Sequence, residues 1–234
     1  ENVAEQFNIS RADQDAFALQ SQQRTAAAQT RGFFANEIVP VEVPQRKGDP
    51  VIFAQDEHPR ASTTLENLAK LKPIVKADGS ITAGNASGIN DGACALLIAS
   101  DDAIAAYGLK PRAKIIGATV VGVEPRIMGF GPAPAIKKLL QKHNLTLEQM
   151  DVIELNEAFS AQSLAVTRDL GLADDSSKVN PNGGAISIGH PLGASGGRLV
   201  MTALNELEEK QGRYAICSMC IGVGQGIALI IERV

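Results

Sequence analysis

Two glycine-framed side chains near the end of the chain have the chemistry of an acid/base site. His190 lies in Gly189-His190-Pro191-Leu192-Gly193-Ala194-Ser195-Gly196, and Cys220 opens Cys220-Ile221-Gly222-Val223-Gly224-Gln225-Gly226. Imidazole transfers protons near neutral pH, and a thiol can serve as acid, base or nucleophile. Glycines on either side let backbone N–H groups approach a ligand with no Cβ in the way. The sequence holds only three histidines and three cysteines, so one of each in such a setting narrows the chemistry. His190 also stands just before a helix predicted from Gly193, whose free N–H groups suit an anion or a developing oxyanion. The blander reading is a turn histidine. His58 and His143, among polar neighbours, read as solvated surface residues.

Other residues are weaker candidates. Cys217 and Cys220 make a single C-x-x-C, but strand alternation puts them on opposite faces and a zinc site needs two further ligands. No metal site is expected. Cys94, inside Gly92-Ala93-Cys94-Ala95-Leu96-Leu97, reads as a buried apolar residue. Asn156-Glu157-Ala158-Phe159 joins a predicted strand to a predicted helix, where α/β sheets gather ligand sites. As a bare sequence signal, Asn156 reads first as a plain helix cap. The glycine-rich loop Ala83–Gly92 has neither the Lys-Ser/Thr ending of a P-loop nor the spacing of a dinucleotide fingerprint.

The elements that must position these residues follow from periodicity and punctuation. Ser10 with Asp13 predicts the start of a helix over 10–31, stopped by Gly32. Residues 37–53 carry strand-turn-strand punctuation, and 54–85 are polar with a short helix at 64–70. Beyond this, 101–107, 133–143, 157–170 and 193–209 read as helices. Segments 113–123, 151–155, 214–219 and 226–232 read as strands. The alternation predicts a layered α/β fold, and the closing strand–glycine turn–strand makes its sheet mixed. Hydrophobic residues are 44%, charged residues 21% and net charge −4 over 234 residues, which argues against general nucleic-acid binding. Three cysteines suit a reducing compartment, and no apolar run is long enough to span a bilayer. The opening Glu1-Asn2-Val3-Ala4-Glu5 reads as the middle of a helix.

Taken together and in order, Ala83–Gly92, Met128-Gly129-Phe130-Gly131-Pro132, Asn156–Phe159, Gly189–Gly196 and Cys220–Gly226 resemble the thiolase family of acyl-CoA acyltransferases. The resemblance covers essentially the whole chain. Cys220–Gly226 and Val179-Asn180-Pro181-Asn182-Gly183-Gly184 look most like the 3-oxoadipyl-CoA thiolases of bacterial aromatic degradation. A thiolase-like layered fold is implied, with mixed sheets of the five-stranded type, helices and part of an inserted loop domain. Residues 1–85 would belong to the loop domain, 86–123 to the end of the first core domain and 124–234 to the second.

The resemblance implies roles as well. The acyl-accepting cysteine of thiolases would lie before Glu1, and Cys94 would match a buried helix instead. These residues alone would then be inactive. His190 would activate the absent thiol, Cys220 would exchange the α-proton of acetyl-CoA, and Asn156 would fix a water at the enolate oxygen. Gly222 would donate its N–H to a second oxyanion hole. Ser87 would hold the pantetheine arm of coenzyme A and Arg60 would lie near its adenine end. Met128 and Phe159 would line the acyl pocket, or else be ordinary core residues, and Arg126 is a nearby cation for a dicarboxylic acyl chain. Coenzyme A enters as substrate, with no permanently bound cofactor. A cytoplasmic homodimer or homotetramer, without membrane or nucleic-acid partners, is implied. Two other readings remain: a noncatalytic CoA-binding scaffold, and a ketoacyl-synthase or hydroxymethylglutaryl-CoA-synthase relative. The last lacks a cysteine in the final glycine-rich turn.

Overall fold

A computed structural model describes residues 1–234. The chain begins with helices α1 (Asn2–Gln6) and α2 (Arg11–Thr30). The Ser10 hydroxyl accepts from Asp13 N at 3.0 Å while the Asp13 carboxylate accepts from Ser10 N, the capping box that the spacing predicts. A hairpin of β1 (Val41–Val43) and β2 (Val51–Phe53) follows, then α3 (Leu65–Ala69) and α4 (Asp101–Tyr107). The remaining elements are β3 (Ala113–Gly122), α5 (Pro132–Lys142), β4 (Val152–Leu155) and α6 (Ser160–Asp169). After them come α7 (Ala185–Ile188), α8 (Leu192–Lys210), β5 (Tyr214–Ile221) and β6 (Gln225–Arg233).

The main sheet has strand order β3-β6-β5-β4, with β4 parallel to β5 and the other pairs antiparallel. It is mixed, as predicted, but has four strands where the five-stranded type was expected. Beside β4 runs only one parallel bridge, Ile153 with Val179. The chain turns away immediately after it because Asn180 adopts φ 43. The Asn180 side chain then does the work of a strand, accepting from Leu155 N and donating to Leu155 O, both at 2.8 Å.

Alternation along the strands assigns each face a helix layer. Ile153, Leu155, Ile216 and Ile230 pack with Ile136 and Leu139 of α5. Val152, Ala215, Cys217 and Ile231 pack with Leu199, Ala203 and Leu207 of α8. Each of the Val, Ile and Leu side chains among them contributes about 1.5–3 kcal/mol on burial. A further layer forms where Phe17 and Ala18 of α2 meet Ala161 and Leu164 of α6. Helix α6 is therefore covered on nearly all sides, and its polar residues Ser160, Gln162 and Ser163 are inside the protein.

The structure places Cys94, His58 and His143 otherwise than their neighbours in sequence suggest. The segment from Gly88 to Ala99 forms no regular element, and no backbone N–H in it donates a hydrogen bond within the chain. Its apolar side chains have no covering layer: Ile89 is 93% exposed and Leu97 82%. Cys94 is accordingly half-exposed beside Gly197, not a buried helical residue. His143 is the opposite case. Its ring lies over Gly117 of β3, where a methyl group would collide with it, and its Nε2 is buried without a partner. His58 is half-buried too, packed on Gly88, with Nδ1 3.4 Å from Asn90 Nδ2. No helix is long and apolar enough to cross a membrane.

Candidate active site

Asn156 follows β4, and its N–H donates to Ser218 O of β5 at 2.9 Å, so the parallel ladder carries it one residue past the strand. The next residue, Glu157, is a buried anchor. Its carboxylate accepts from Ser21 Oγ at 2.6 Å, Asn180 Nδ2 at 2.8 Å and Ile186 N at 3.2 Å. Burial pushes this carboxyl above its usual range, while the three donors work in the opposite direction. Through Glu157, the turn after β4 is tied to α2 and to the 180–186 segment. On its other side, residues 85–87 run antiparallel to 158–160, with Ser87 N donating to Ala158 O at 3.0 Å and Ser160 N to Asn85 O at 2.9 Å.

His190 sits between α7 and α8. Its backbone N–H is shared by Gly88 O at 3.2 Å and Asn90 Oδ1 at 3.1 Å, which docks the 83–92 loop against it. Gly189 has φ 104 and lies so close to Asn90 that a Cβ would fall 2.5 Å from its Oδ1. Glycine is required there. The ring is fixed at both nitrogens: Nδ1 lies 2.6 Å from Ser195 Oγ and Nε2 lies 3.3 Å from Asn156 Nδ2. Ser195 Oγ also donates to Pro191 O at 3.1 Å. With its one hydrogen used there, Ser195 accepts from Nδ1–H, and Nε2 keeps its lone pair toward Asn156. Burial, then the Arg198 charge, lowers the His190 value from 6.5, so the imidazole is a neutral base near pH 7.

Cys220 is 8% exposed on β5, and burial pushes its thiol up, opposed by a backbone hydrogen bond. It stands two residues beyond Ser218, about 7 Å along the strand from the point where Asn156 attaches. The turn that follows is tightly bent: Val223 has φ 61 and Gly224 φ 98, and Gly224 O accepts from Val123 N at 2.8 Å. Gly222 is exposed at its start, with open space where a side chain would be. Asn156 itself is fully buried, and its Oδ1 has no partner. That leaves an acceptor free beside the imidazole.

The structure joins Asn156 to His190 directly and sets Cys220 on the neighbouring strand. It does not bring Ser87 and Arg60 into one cavity. Arg60 lines a cleft of about 390 Å³ with Gln22, His58, Thr63, Asn67 and Ile186. Its guanidinium donates to the carbonyls of Glu57, His58 and Pro59, and Ser87 lies outside the lining, next to the Gly88 on which His58 packs. Met128 and Phe159 do share a cavity, of about 190 Å³, with Arg126 and Gln162. Sequence reasoning gave no role to Ser195, Asn180 or Gln162. Ser195 was visible within the quoted motif, five residues after His190, but its contact depends on how α8 begins.

Comparison with known proteins places the chain among relatives over its whole length. The family described as "Thiolase, N-terminal domain" matches residues 1–102, and "Thiolase, C-terminal domain" matches residues 109–233. The chain is 77% identical over 234 residues to a beta-ketoadipyl-CoA thiolase of Acinetobacter baylyi. It is 60% identical to the 3-oxoadipyl-CoA/3-oxo-5,6-dehydrosuberyl-CoA thiolase of Escherichia coli. All of this chain aligns in both cases, and it spans 58% of the length of these relatives. Among solved structures, the Bacillus anthracis acetyl-CoA acetyltransferase superposes with TM-score 0.96 at 46% identity, covering 100% of this chain and 58% of that one. Human mitochondrial 3-ketoacyl-CoA thiolase in complex with CoA gives 0.90 at 46%, covering 100% and 57%.

Proposed function

The chain belongs to the thiolase family, and on that premise we propose that it supplies the acid/base half of an acyl-CoA acyltransferase site. The reaction is cleavage of a 3-ketoacyl-CoA by CoA to acetyl-CoA and a shortened acyl-CoA, or the reverse condensation. The supporting observation is the Asn156–His190 contact at 3.3 Å, beside the strand that carries Cys220. We further propose 3-oxoadipyl-CoA as the substrate. Its support is the names of the relatives at 77% and 60% identity, whose adipyl and dehydrosuberyl groups are both dicarboxylic.

In cleavage, His190 Nε2 takes the proton of the nucleophilic thiol. The thiolate attacks the 3-keto carbon, and the bond between C2 and C3 breaks. The electron pair goes to the acetyl-CoA enolate, whose oxygen is held by the His190 N–H and by a water on Asn156 Oδ1. Cys220 Sγ–H protonates C2. The Cys220 thiolate then takes the proton of the incoming CoA thiol, whose sulfur attacks the acyl-enzyme; the first cysteine leaves as a thiolate and takes back its proton from His190. The Gly222 N–H belongs to the oxyanion hole for the acyl-enzyme. CoA occupies the cleft at Arg60 and His58, with Ser87 at its pantetheine arm. We do not assign the nucleophile to Cys94, which lies against Gly197, or to Cys217, which packs with Leu199, Ala203 and Leu207 of α8.

We assign residues 1–85 to the loop domain. The pairing of β3 with β6 supports placing 113–122 with the second core domain rather than the first. A cytoplasmic homo-oligomer is the assembly consistent with the family. The 234 residues alone are then inactive. Measurable 3-ketoacyl-CoA thiolysis by this chain by itself would sink that part of the proposal. In the complete enzyme, Cys220→Ala should abolish thiolysis with CoA binding retained; intact turnover would favour a noncatalytic CoA-binding scaffold.

A further inference from the structure

We propose that Arg126 and Gln162 form a carboxylate-recognition end to the acyl pocket, selecting dicarboxylic over neutral acyl chains. The inference deepens the thiolase reading and rests on it. The cavity shared by Met128 and Phe159 has apolar walls from Val3 and Ile81, which suit methylene groups, and Glu1, Asn2, Arg126 and Gln162 as its polar lining.

Gln162 is 2% exposed, yet neither its amide oxygen nor its amide nitrogen has a hydrogen-bond partner. Buried amides are rarely left in that state, because water solvates them well and an apolar surrounding does not. A ligand group in the cavity would satisfy it. The side chain is held there by close packing: a Cβ on Gly129 would fall 2.8 Å from Gln162 Cγ, so glycine at 129 is what makes room for its stem. Arg126 lines the same cavity with an uncommitted guanidinium. Only its backbone carbonyl is engaged, accepting from Asn2 Nδ2 at 3.0 Å, and it takes part in no ion pair.

The one carboxylate on the rim does not neutralise Arg126. Glu1 accepts from Ser80 N, Ile81 N and Ser80 Oγ at 2.9–3.1 Å and is thereby occupied. A cation and a free amide donor lining one largely apolar cavity fit a planar carboxylate, which accepts from both at once. A methyl-ended chain of equal length would leave both donors unpaired, the situation in which binding sites discriminate most strongly. Phe159 of the cavity wall follows Asn156 by three residues on the turn after β4.

The test is thiolysis of two thioesters by the complete polypeptide carrying these residues: 3-oxoadipyl-CoA, and 3-oxohexanoyl-CoA, which has the same chain length and a methyl end. Arg126→Ala should lower the ratio of kcat/KM, dicarboxylic over neutral, by roughly 10- to 100-fold, and Arg126→Lys should recover part of it. Gln162→Leu should lower the same ratio by about 5- to 10-fold. Arg126 is exposed, so its variants keep the question open to measurement should the buried Gln162 variant fold poorly. An unchanged ratio in Arg126→Ala overturns the inference and leaves the thiolase reading standing. If the wild type cleaves neither thioester, the functional reading falls and this inference falls with it.

Discussion

The imidazole of His190 is useful as a base only if Nε2 has its lone pair, and that is decided by the hydrogen bond at Nδ1. Ser195 Oγ, at 2.6 Å, makes that bond. Ser195→Ala removes it and lets the ring populate both tautomers and rotate against Asn156. In the complete enzyme, kcat should fall by about 10-fold with KM little changed, and Ser195→Thr should recover most of it. The ring 15N shifts of His190 should move from a single tautomer toward an average; unchanged shifts in Ser195→Ala would remove the argument. The lowered His190 value also predicts an acid limb of kcat/KM below pH 6.5, where protonation removes the base. At this scale the sequence was informative wherever residue type carried the chemistry. His190, Cys220 and Asn156 stood out by type and by glycine framing. Ser195 and Gln162 did not, because a hydroxyl or amide acquires meaning only from what it faces.

At the scale of elements, the turn after β4 depends on polar side chains that stand in for a strand. Asn180 pairs both polar groups of Leu155 and also reaches Glu157 Oε1. Asn180→Ala would leave three buried groups unpaired and should cost about 3 kcal/mol or more in urea denaturation. The helix start at Ser10 and the hairpin of β5 and β6 were legible because local rules govern them: a capping box, and alternation broken by glycines. The missing fifth strand was not legible, since nothing local in Val179-Asn180 says that a side chain will replace a ladder. A second buried polar pair ties β4 to α8, with Glu154 Oε2 2.9 Å from Arg198 Nη1. Burial outweighs that partner and pushes Glu154 from 4.5 up to about 8. Between those values the folded state holds more protons than the unfolded one, so this group makes stability fall as pH rises from about 4.5 to 8. Glu154→Gln should flatten that part of the stability profile, at some cost in overall stability because Arg198 keeps a weaker buried partner. A profile equally steep in the variant would assign the slope elsewhere.

For the whole molecule, burial is unevenly distributed, and the two regions differ in what holds them. The sheet with α5 and α8 on its faces pairs its backbone and covers its apolar side chains. The stretch from Gly88 to Ala99 does neither, although its composition is that of a core: Leu97 is 82% exposed and Ile98 66%. Cys94 within it reads as buried from its apolar neighbours, but apolar content reports what a segment would gain from burial and not whether a covering surface exists. Only its first residues are tied down, through Gly88 O and Asn90 to His190. Amide exchange measures this contrast directly. In the 234-residue chain, amides 91–99 should exchange with little protection, while Ile153, Leu155 and Ile216 in β4 and β5 should be the slowest. Binding of CoA in the Arg60 cleft should slow exchange near Gly88 and Asn90, which touch His58 on its wall, and leave 93–99 unchanged. Strong protection of 93–99 in the chain by itself would mean that this stretch is covered after all, by self-association or by a rearranged fold, and sedimentation at two concentrations separates those outcomes.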